Sequence, residues 1–410
     1  MAGRAVARAL FALLLLLLQR TPSAASESVD LRLAYVLATA SYCAYAVNQA
    51  DADFGRARAV SCLRAAARED PEALAPLIVA LQDTETYVAP DRPEDAYLLV
   101  RMRKGLILAF RGTAPPPVLT DGAARDARRG VHPWRTFVAD ILNDLDAIAN
   151  GRGRHSGFDD SWERLKGHLL QDCGGSAGRG QCSRFRRFVG RMRHGGALYL
   201  TGHSKGGALA MLAGLDGEAL AGPRAATQVV YAFAAPKAVT AAVAAEATLA
   251  GQGWMRFERE NDIVPSLPPD ATLPLWIILG SPYAHIGDLV YFTRDGAPVL
   301  LRAERALIVP PGDWARAPAF LVNQAATVVA SWLTPDFPRA ILNSSEAACR
   351  ALVDAHFEAL ADVQRLATDN PAVLAAGKEQ SFFARGLYDP DERQILWGFR
   401  EWCAQARLIE

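Results

Sequence analysis

A serine flanked by glycines is the first candidate for chemistry in this chain: residues 202–206 read GHSKG, with Ser204 at the centre. An apolar segment at 197–201 runs into this pentapeptide, and a segment rich in Gly and Ala runs out of it. A G-x-S-x-G turn between a strand and a helix holds its serine in a strained conformation, with the hydroxyl exposed at the helix N-terminus. The context therefore predicts a nucleophilic serine, although the bare pentapeptide could also be an idle glycine-rich turn.

Four further segments accompany this turn in a fixed order along the chain. The five together are FRGT at 110–113, HSGF at 155–158, TGHSKGGALA at 201–210, FAAPK at 233–237 and NDIVPSLP at 261–268. In this order they resemble the class 3 lipases, the fungal-type lipase family of the α/β-hydrolases. Lys205 stands where that family more often has Leu. The resemblance implies an α/β-hydrolase fold with a mostly parallel central sheet flanked by helices.

An oxyanion hole is the next requirement, because acyl transfer passes through a negatively charged tetrahedral intermediate. Removing one hydrogen-bond donor from such a hole typically costs ~10²–10³ in rate. The residue after the nucleophile, Lys205, supplies one backbone N–H. Its side chain is not needed for this, so we expect that side chain to reach solvent. The resemblance implies that Thr113 supplies the second donor, although Thr113 could instead be a turn residue at a strand end.

The acid and then the base follow the nucleophile along the chain of an α/β-hydrolase. Asp262 follows a strand-like segment and lies in the segment that resembles the family's aspartate loop. The resemblance implies that Asp262 accepts from the imidazole of the base and stabilises the imidazolium. Only His285 and His356 come after it and can be the base.

The choice between His285 and His356 stays open at this point. The family's base lies in a D-H-type segment that leads into a terminal helix, which favours His356. Two departures weaken this assignment, because Ala355 separates Asp354 from His356 and the spacing from the aspartate is longer than usual. His356 also falls on the apolar face of a predicted helix, so it could be a core histidine, with His285 as the base.

The resemblance implies a secreted serine hydrolase that cleaves carboxylic esters of lipids, either acylglycerols or phospholipids. The reaction would pass through an acyl-enzyme and would need no metal and no organic cofactor. The same scaffold could serve an esterase or thioesterase for small soluble esters. A catalytically silent interaction protein on this fold is a third hypothesis, against which the presence of Ser204, Asp262 and Thr113 argues.

The elements predicted around these residues alternate between strands and helices. Strands are predicted at 197–201, 228–234, 255–259 and 289–293, two strands within 97–110 joined at 103–105, and helices at 29–48, 137–148, 183–194, 207–215 and 344–367. Such alternation indicates an α/β fold with a largely parallel sheet. We expect a hydrolase domain at 26–340 and a helical C-terminal extension at 341–410 packed on it.

The first 25 residues have the layout of a secretory signal peptide. Arg4 and Arg8 precede an apolar run at 9–18, and small residues follow at 23–25. The run is too short to span a bilayer, for which ~20 residues are needed. We therefore expect cleavage and export to the periplasm or the extracellular medium, with an uncleaved anchor helix as the alternative.

Two polar segments bear on how the protein meets a lipid surface. Residues 113–134 form a loop rich in Pro, Gly and Arg, at the place where family members carry a lid. We expect this loop to open at a membrane or micelle surface. Arginines at 184, 186, 187 and 191 could contact anionic headgroups, or could simply form the solvated face of a helix.

The predicted export makes disulfide bonds between the six cysteines plausible. The cysteines are Cys43, Cys62, Cys173, Cys182, Cys349 and Cys403. Proximity in sequence suggests three local disulfides formed by successive pairs, although six cysteines allow 15 connectivities and buried free thiols remain an alternative. The sequence has no CxxC pair, which makes zinc-binding and redox motifs weak hypotheses.

The composition excludes two classes of protein. Half of the chain (51%) is apolar and only 21% is charged, which rules out intrinsic disorder. The 44 Lys and Arg residues are balanced by 44 Asp and Glu residues, so no excess positive charge is present to bind a phosphate backbone. We therefore expect a folded protein whose partner is not nucleic acid.

Overall fold

One sheet lies at the centre of the described part of the chain. The structure, a computed structural model, describes residues 29–47, 52–103, 105–113, 149–171, 183–191, 196–221, 227–249, 253–260, 262, 264–268, 283–293, 298–301, 346–368 and 383. The described residues from Arg32 onward belong to one compact unit.

The strands run mostly parallel. In chain order they are β1 Thr84–Ala89, β2 Arg92–Met102, β3 Gly105–Phe110, β4 Ala197–His203, β5 Thr227–Phe233, β6 Val239–Thr240, β7 Trp254–Arg259, β8 Tyr283–Ala284, β9 Asp288–Phe292 and β10 Pro298–Leu301. Eight of these described strands form a sheet in the order β1-β2-β3-β4-β5-β7-β9-β10. The pairings from β3 to β9 are parallel, whereas β1 and β2 at one edge and β10 at the other pair antiparallel.

The structure describes eight α-helices. They are α1 Leu31–Ala44, α2 Ala52–Glu69, α3 Ser156–Leu170, α4 Phe185–Gly190, α5 Lys205–Leu215, α6 Gly217–Ala221, α7 Ala241–Leu249 and α8 Glu346–Ala367. Helix α5 contacts β3, β4 and β5, α3 contacts α5 and β2, α2 contacts β1, and α8 contacts β7. The predicted α/β-hydrolase arrangement, a mostly parallel central sheet flanked by helices, is confirmed.

The core explains why the central strands read as apolar runs. Strand β3 (GLILAF) is buried at every position, as expected for a parallel strand covered on both faces. Trp162 of α3 packs edge-on against Phe110 of β3, with ring centroids 5.7 Å apart. The parallel pairing of β3 with β4, in which Phe110 is opposite Gly202, holds the carboxyl ends of the two strands side by side.

Most predicted elements have counterparts in the structure. The predicted strands correspond to β2, β3, β4, β5, β7 and β9, and three predicted helices correspond to α1, α5 and α8. The basic helix expected at 183–194 is shorter, since the described residues are helical only at Phe185–Gly190. The predicted helix at 137–148, most of the loop at 113–134 and the predicted signal peptide lie outside the described residues. None of the described helices is long and apolar enough to span a membrane.

One of the expected disulfides is formed. Cys43, at the end of α1, is bonded to Cys62 of α2 with an S–S distance of 2.04 Å. Cys173, Cys182 and Cys403 lie outside the described residues, and Cys349 lies in α8. The expectation of local pairing is therefore confirmed for the first pair and stays a prediction for the other two.

Candidate active site

Ser204 lies in a tight turn between β4 and α5. Its backbone has φ 58° and ψ −134°, a conformation that a residue with a side chain rarely adopts. The Ser204 N–H donates to the carbonyl of Phe233 at 3.0 Å, which ties the turn to the end of β5. This strand, strained turn and helix are the context that the pentapeptide predicts.

The glycines on either side of Ser204 are required by close approach of the backbone. A Cβ added at Gly202 would lie 2.2 Å from the carbonyl oxygen of Gly206. A Cβ added at Gly206 would lie 2.1 Å from the carbonyl oxygen of Phe110 in β3. Both positions therefore tolerate only glycine, whose side chain is a hydrogen atom. Their lack of a side chain lets the turn bring the first residues of α5 against β3.

The structure brings Asp262 and His356 together. The Nδ1 of His356 lies 2.9 Å from Oδ2 of Asp262, whose side chain is 1% exposed. The second carboxylate oxygen, Oδ1, accepts the backbone N–H of Val264 at 3.0 Å. Because an ionised carboxylate only accepts hydrogen bonds, Nδ1 carries the hydrogen and Nε2 is left as the basic nitrogen. That Nε2 is buried and has no hydrogen-bond partner among the described residues.

His356 lies beside the serine turn. Its ring centroid is 4.4 Å from that of His203, the residue that precedes Ser204. The Nε2 of His203 also lies 2.9 Å from the carbonyl oxygen of His356. Both contacts join α8 to the end of β4, so the imidazole of His356 is held at the elbow.

His285, the alternative base, is engaged elsewhere. Its Nε2 donates to the carbonyl of Pro265 at 2.7 Å and lies 3.6 Å from Oε1 of Glu258. Burial holds the pKa of His285 well below its usual value, and the positive charges of Arg256 and Lys237 lower it further. His285 thus binds the backbone of the loop that carries the aspartate.

The two predicted oxyanion donors converge on the same end of the sheet. Phe110 in β3 is opposite Gly202 in β4, so Thr113, three residues beyond Phe110, lies next to the turn. Thr113 is buried. Lys205 is the first residue of α5, and N–H groups in the first turn of a helix point out of its end toward an anion.

The Lys205 side chain does not reach solvent, so that expectation was wrong. Its Nζ lies 3.4 Å from Oδ1 of Asp95 in β2, and both side chains are 0% exposed. Arg164 of α3 donates from Nε to the other oxygen of Asp95 at 2.7 Å. A buried ammonium requires a counter-charge, and Asp95 supplies it. No motif in the sequence indicates that β2 places an aspartate beside the residue after the nucleophile.

Arg259 joins the acid to the helix that carries the base. Its Nε lies 2.8 Å from Oε2 of Glu358, and its Nη1 is hydrogen-bonded to Asp362; both carboxylates belong to α8. The backbone N–H of Asp262 donates to the carbonyl of Arg259 at 3.1 Å. A buried arginine at the end of β7 therefore fixes both partners of the Asp262–His356 bond.

The described residues contain no group of three or more His, Cys, Asp or Glu side chains arranged to hold a metal ion. What the arrangement offers is a strained serine, a buried carboxylate–imidazole pair and backbone donors, which together suit acyl transfer.

Comparison with known proteins found a family model and curated relatives that match part of this chain. Residues 108–272 match the family model described as lipase (class 3). A curated relative, the secreted mono- and diacylglycerol lipase A of Penicillium cyclopium, is 27% identical over 176 residues, which is 42% of this chain and 49% of the relative. The chain thus spans about half the length of the curated relatives that it matches.

Solved structures of fungal lipases were also found. Lipase II from Rhizopus niveus is 18% identical, with 64% of this chain and 81% of that chain covered and a TM-score of 0.38. The triacylglyceride lipase of Rhizomucor miehei is likewise 18% identical, with 68% and 84% covered and a TM-score of 0.40.

Proposed function

We propose that this chain, whose residues 108–272 belong to the class 3 lipase family, is a serine hydrolase that cleaves carboxylic esters of lipids. The observation that carries the proposal is the 2.9 Å hydrogen bond between His356 Nδ1 and Asp262 Oδ2, beside a serine in a strained turn. A non-catalytic protein has no need to keep a strained serine, a buried aspartate and an oriented imidazole at one end of its sheet.

The proposed reaction uses only groups of the chain and water. Ser204 Oγ attacks the ester carbonyl while His356 Nε2 takes its proton, and Asp262 stabilises the imidazolium that results. The backbone N–H groups of Lys205 and Thr113 donate to the oxyanion. His356 then protonates the departing alcohol, and the same imidazole activates the water that hydrolyses the acyl-enzyme.

The C-terminal segment takes part in this proposal. Because α8 carries His356 and is paired through Arg259 to the end of β7, we infer that α8, which belongs to the predicted C-terminal extension at 341–410, completes the site of the 26–340 domain. A chain truncated before α8 would keep the nucleophile and the acid but would lose the base.

The substrate class is proposed from the relatives. The curated relative is described as a secreted mono- and diacylglycerol lipase, so we expect acylglycerols to be cleaved at a membrane or micelle surface. Export to the extracellular medium agrees with the apolar run at 9–18 and with the disulfide Cys43–Cys62, since disulfides persist in oxidising compartments.

Hydrolysis of p-nitrophenyl esters by the wild type and three variants tests the proposal. Ser204→Ala and His356→Ala should each lose about 10⁴-fold or more in kcat. His285→Gln keeps a donor for the carbonyl of Pro265 and should stay within about tenfold of the wild type. Equal losses in His285→Gln and His356→Ala, or an active Ser204→Ala, would count against the assignment.

Acyl-chain length and aggregation state distinguish a lipase from an esterase for soluble esters. We expect faster hydrolysis of long-chain than of short-chain esters, and a rise in rate above the critical micelle concentration. A preference for short chains with a smooth hyperbolic response through that concentration would favour the soluble esterase.

A further inference from the structure

His203 is buried at the site, yet none of the proposed chemical steps uses it. Its side chain is enclosed by the rings of His356 and Phe357, whose centroids lie 4.4 and 4.5 Å away. Both of its ring nitrogens are engaged: Nε2 lies 2.9 Å from the carbonyl oxygen of His356, and Nδ1 lies 2.9 Å from the hydroxyl of Tyr45. A buried imidazole with two bonds on opposite sides can connect the segments that it touches.

The direction of these two hydrogen bonds follows from the partners. A backbone carbonyl only accepts, so Nε2 of His203 carries the hydrogen. Burial, together with the charge of a protonated His356, keeps the pKa of His203 well below its usual value, and the ring is therefore neutral. A neutral imidazole has one N–H, so its Nδ1 accepts from the Tyr45 hydroxyl. The chain of donors runs from Tyr45 through His203 to the backbone of His356.

Tyr45 also borders the segment that supplies an oxyanion donor. A Cβ added at Gly112, next to Thr113, would lie 2.1 Å from the Tyr45 hydroxyl oxygen and 2.6 Å from the carbonyl oxygen of His203. Gly112 leaves room for that hydroxyl between β3 and β4. Arg111 donates to the carbonyl of Val47 two residues beyond Tyr45, which holds this part of the chain in place.

We propose that Tyr45 and His203 are positioning residues that hold the imidazole of His356 in line with Ser204. Asp262 fixes the Nδ1 end of that ring, and the bond from His203 fixes the backbone from which the ring projects. A displacement of about 1 Å in a reacting group can cost ~10²-fold in rate, so a second point of attachment matters. This inference rests on the proposed function, because positioning has meaning only if His356 is the base.

Kinetics of conservative and disruptive variants test the proposal. His203→Leu should lower kcat on p-nitrophenyl butyrate by about 100-fold and leave KM within about twofold. His203→Gln retains a donor for the carbonyl of His356 and should recover about tenfold of that loss. Tyr45→Phe removes one neutral hydrogen bond and should lower kcat by about 3–10-fold.

Tyr97→Phe is the matched control for Tyr45→Phe. The Tyr97 hydroxyl is also buried and also lies 2.9 Å from the Nδ1 of a histidine, His168. This pair is outside the proposed site. Tyr97→Phe should therefore keep the wild-type kcat even if its melting temperature falls as far as that of Tyr45→Phe. An unchanged kcat in His203→Leu, a change in KM alone, or an equal loss of kcat in Tyr97→Phe would overturn the inference.

Nitrogen-15 spectra of the histidines give a reading that does not depend on turnover. The wild type should show His203 with Nε2 protonated and Nδ1 unprotonated, and His203→Leu should speed the exchange of the His356 Nδ1 hydrogen. The opposite tautomer, or unchanged exchange in the variant, would contradict the inference. Absence of hydrolysis in the wild type would contradict the proposed function, while these spectra would still decide whether His203 holds His356.

Discussion

At the scale of single residues, Ser204 lies in a turn whose backbone depends on the glycines beside it, and the next residue, Lys205, is buried against Asp95. The tight turn at 202–206 could be predicted from its glycines, because close approach of the backbone at Gly202 and Gly206 leaves no room for a side chain. The burial of the Lys205 side chain could not be predicted from the residues next to it in sequence. Its buried partner, Asp95, comes from a different strand, and no pattern along the chain links the two.

The buried ion pair between Lys205 and Asp95 should contribute to the stability of the fold but not to catalysis. Lys205→Met keeps the backbone N–H at the oxyanion but leaves Asp95 with one cation fewer, which should destabilise the fold by about 3 kcal/mol. The kcat per folded molecule should change little. Urea unfolding and active-site titration measure the two quantities on the same sample.

The double variant Lys205→Met with Asp95→Asn is the control for this experiment. It removes both charges and should recover part of the lost stability. A single variant that unfolds at the same urea concentration as the wild type, or that loses most of its kcat, would contradict this view of the pair.

At the scale of elements, the sequence predicted the strands that position the site but not the docking of α8. Strand β1 was missed because its alternation of buried and half-buried residues lasts only from Thr84 to Tyr87 and breaks where its register shifts between Val88 and Ala89. The choice of His356 over His285 was left open because it depends on how α8 packs on β7. Arg259 fixes that packing through its ion pairs with α8. In the sequence, nothing distinguishes Arg259 from any other charged residue at the end of a strand.

Arg259 should therefore matter for both folding and catalysis. Arg259→Met leaves the fully buried carboxylate of Asp362 without its partner in β7, so we expect a lower melting temperature and a kcat reduced by about 10–100-fold. Thermal unfolding and ester hydrolysis provide the measurements.

Arg365→Met provides the comparison for Arg259→Met. Arg365 also binds Asp362, at 2.8 Å, but within α8 itself and with its side chain 34% exposed. Arg365→Met should therefore lower the melting temperature less than Arg259→Met does, and its kcat should stay near that of the wild type. Equal effects of the two variants on kcat would show that α8 is not held to the site through Arg259.

At the scale of the whole molecule, the class of fold could be predicted from alternating strands and helices, whereas the largely buried ionic network around Asp216 could not. Asp216, just after α5, accepts from Arg154, from Trp162 at 2.9 Å and from Lys166 at 2.7 Å. These contacts join the end of α5 to α3 and to the turn before it. They bring together residues far apart in sequence, which is why only the folded chain reveals them.

This network should make the protein sensitive to acid. Burial by itself would raise the pKa of Asp216, but the bonds from Arg154, Lys166 and Trp162 hold that pKa well below its usual value. A carboxylate with a lowered pKa in the folded state adds stability above the pKa of the unfolded chain, about 3.9. That stability is lost as the pH falls through the folded-state pKa.

Urea unfolding between neutral and acid pH measures this effect. The free energy of unfolding of the wild type should begin to fall below about pH 5 and should continue to fall toward lower pH. Asp216→Asn should be less stable at neutral pH and should show a shallower dependence. Parallel curves for the two proteins would mean that Asp216 does not contribute to the acid sensitivity.

The central claim is that Ser204 is a nucleophile whose base is His356, and covalent labelling tests it most directly. Each protein is treated with a fluorophosphonate at neutral pH, and the adduct is mapped by peptide mass spectrometry. We expect stoichiometric modification of Ser204 in the wild type, and labelling slowed by about 10³-fold or more in His356→Ala. An unmodified Ser204 in the folded wild type, or labelling of His356→Ala at the wild-type rate, would contradict the claim.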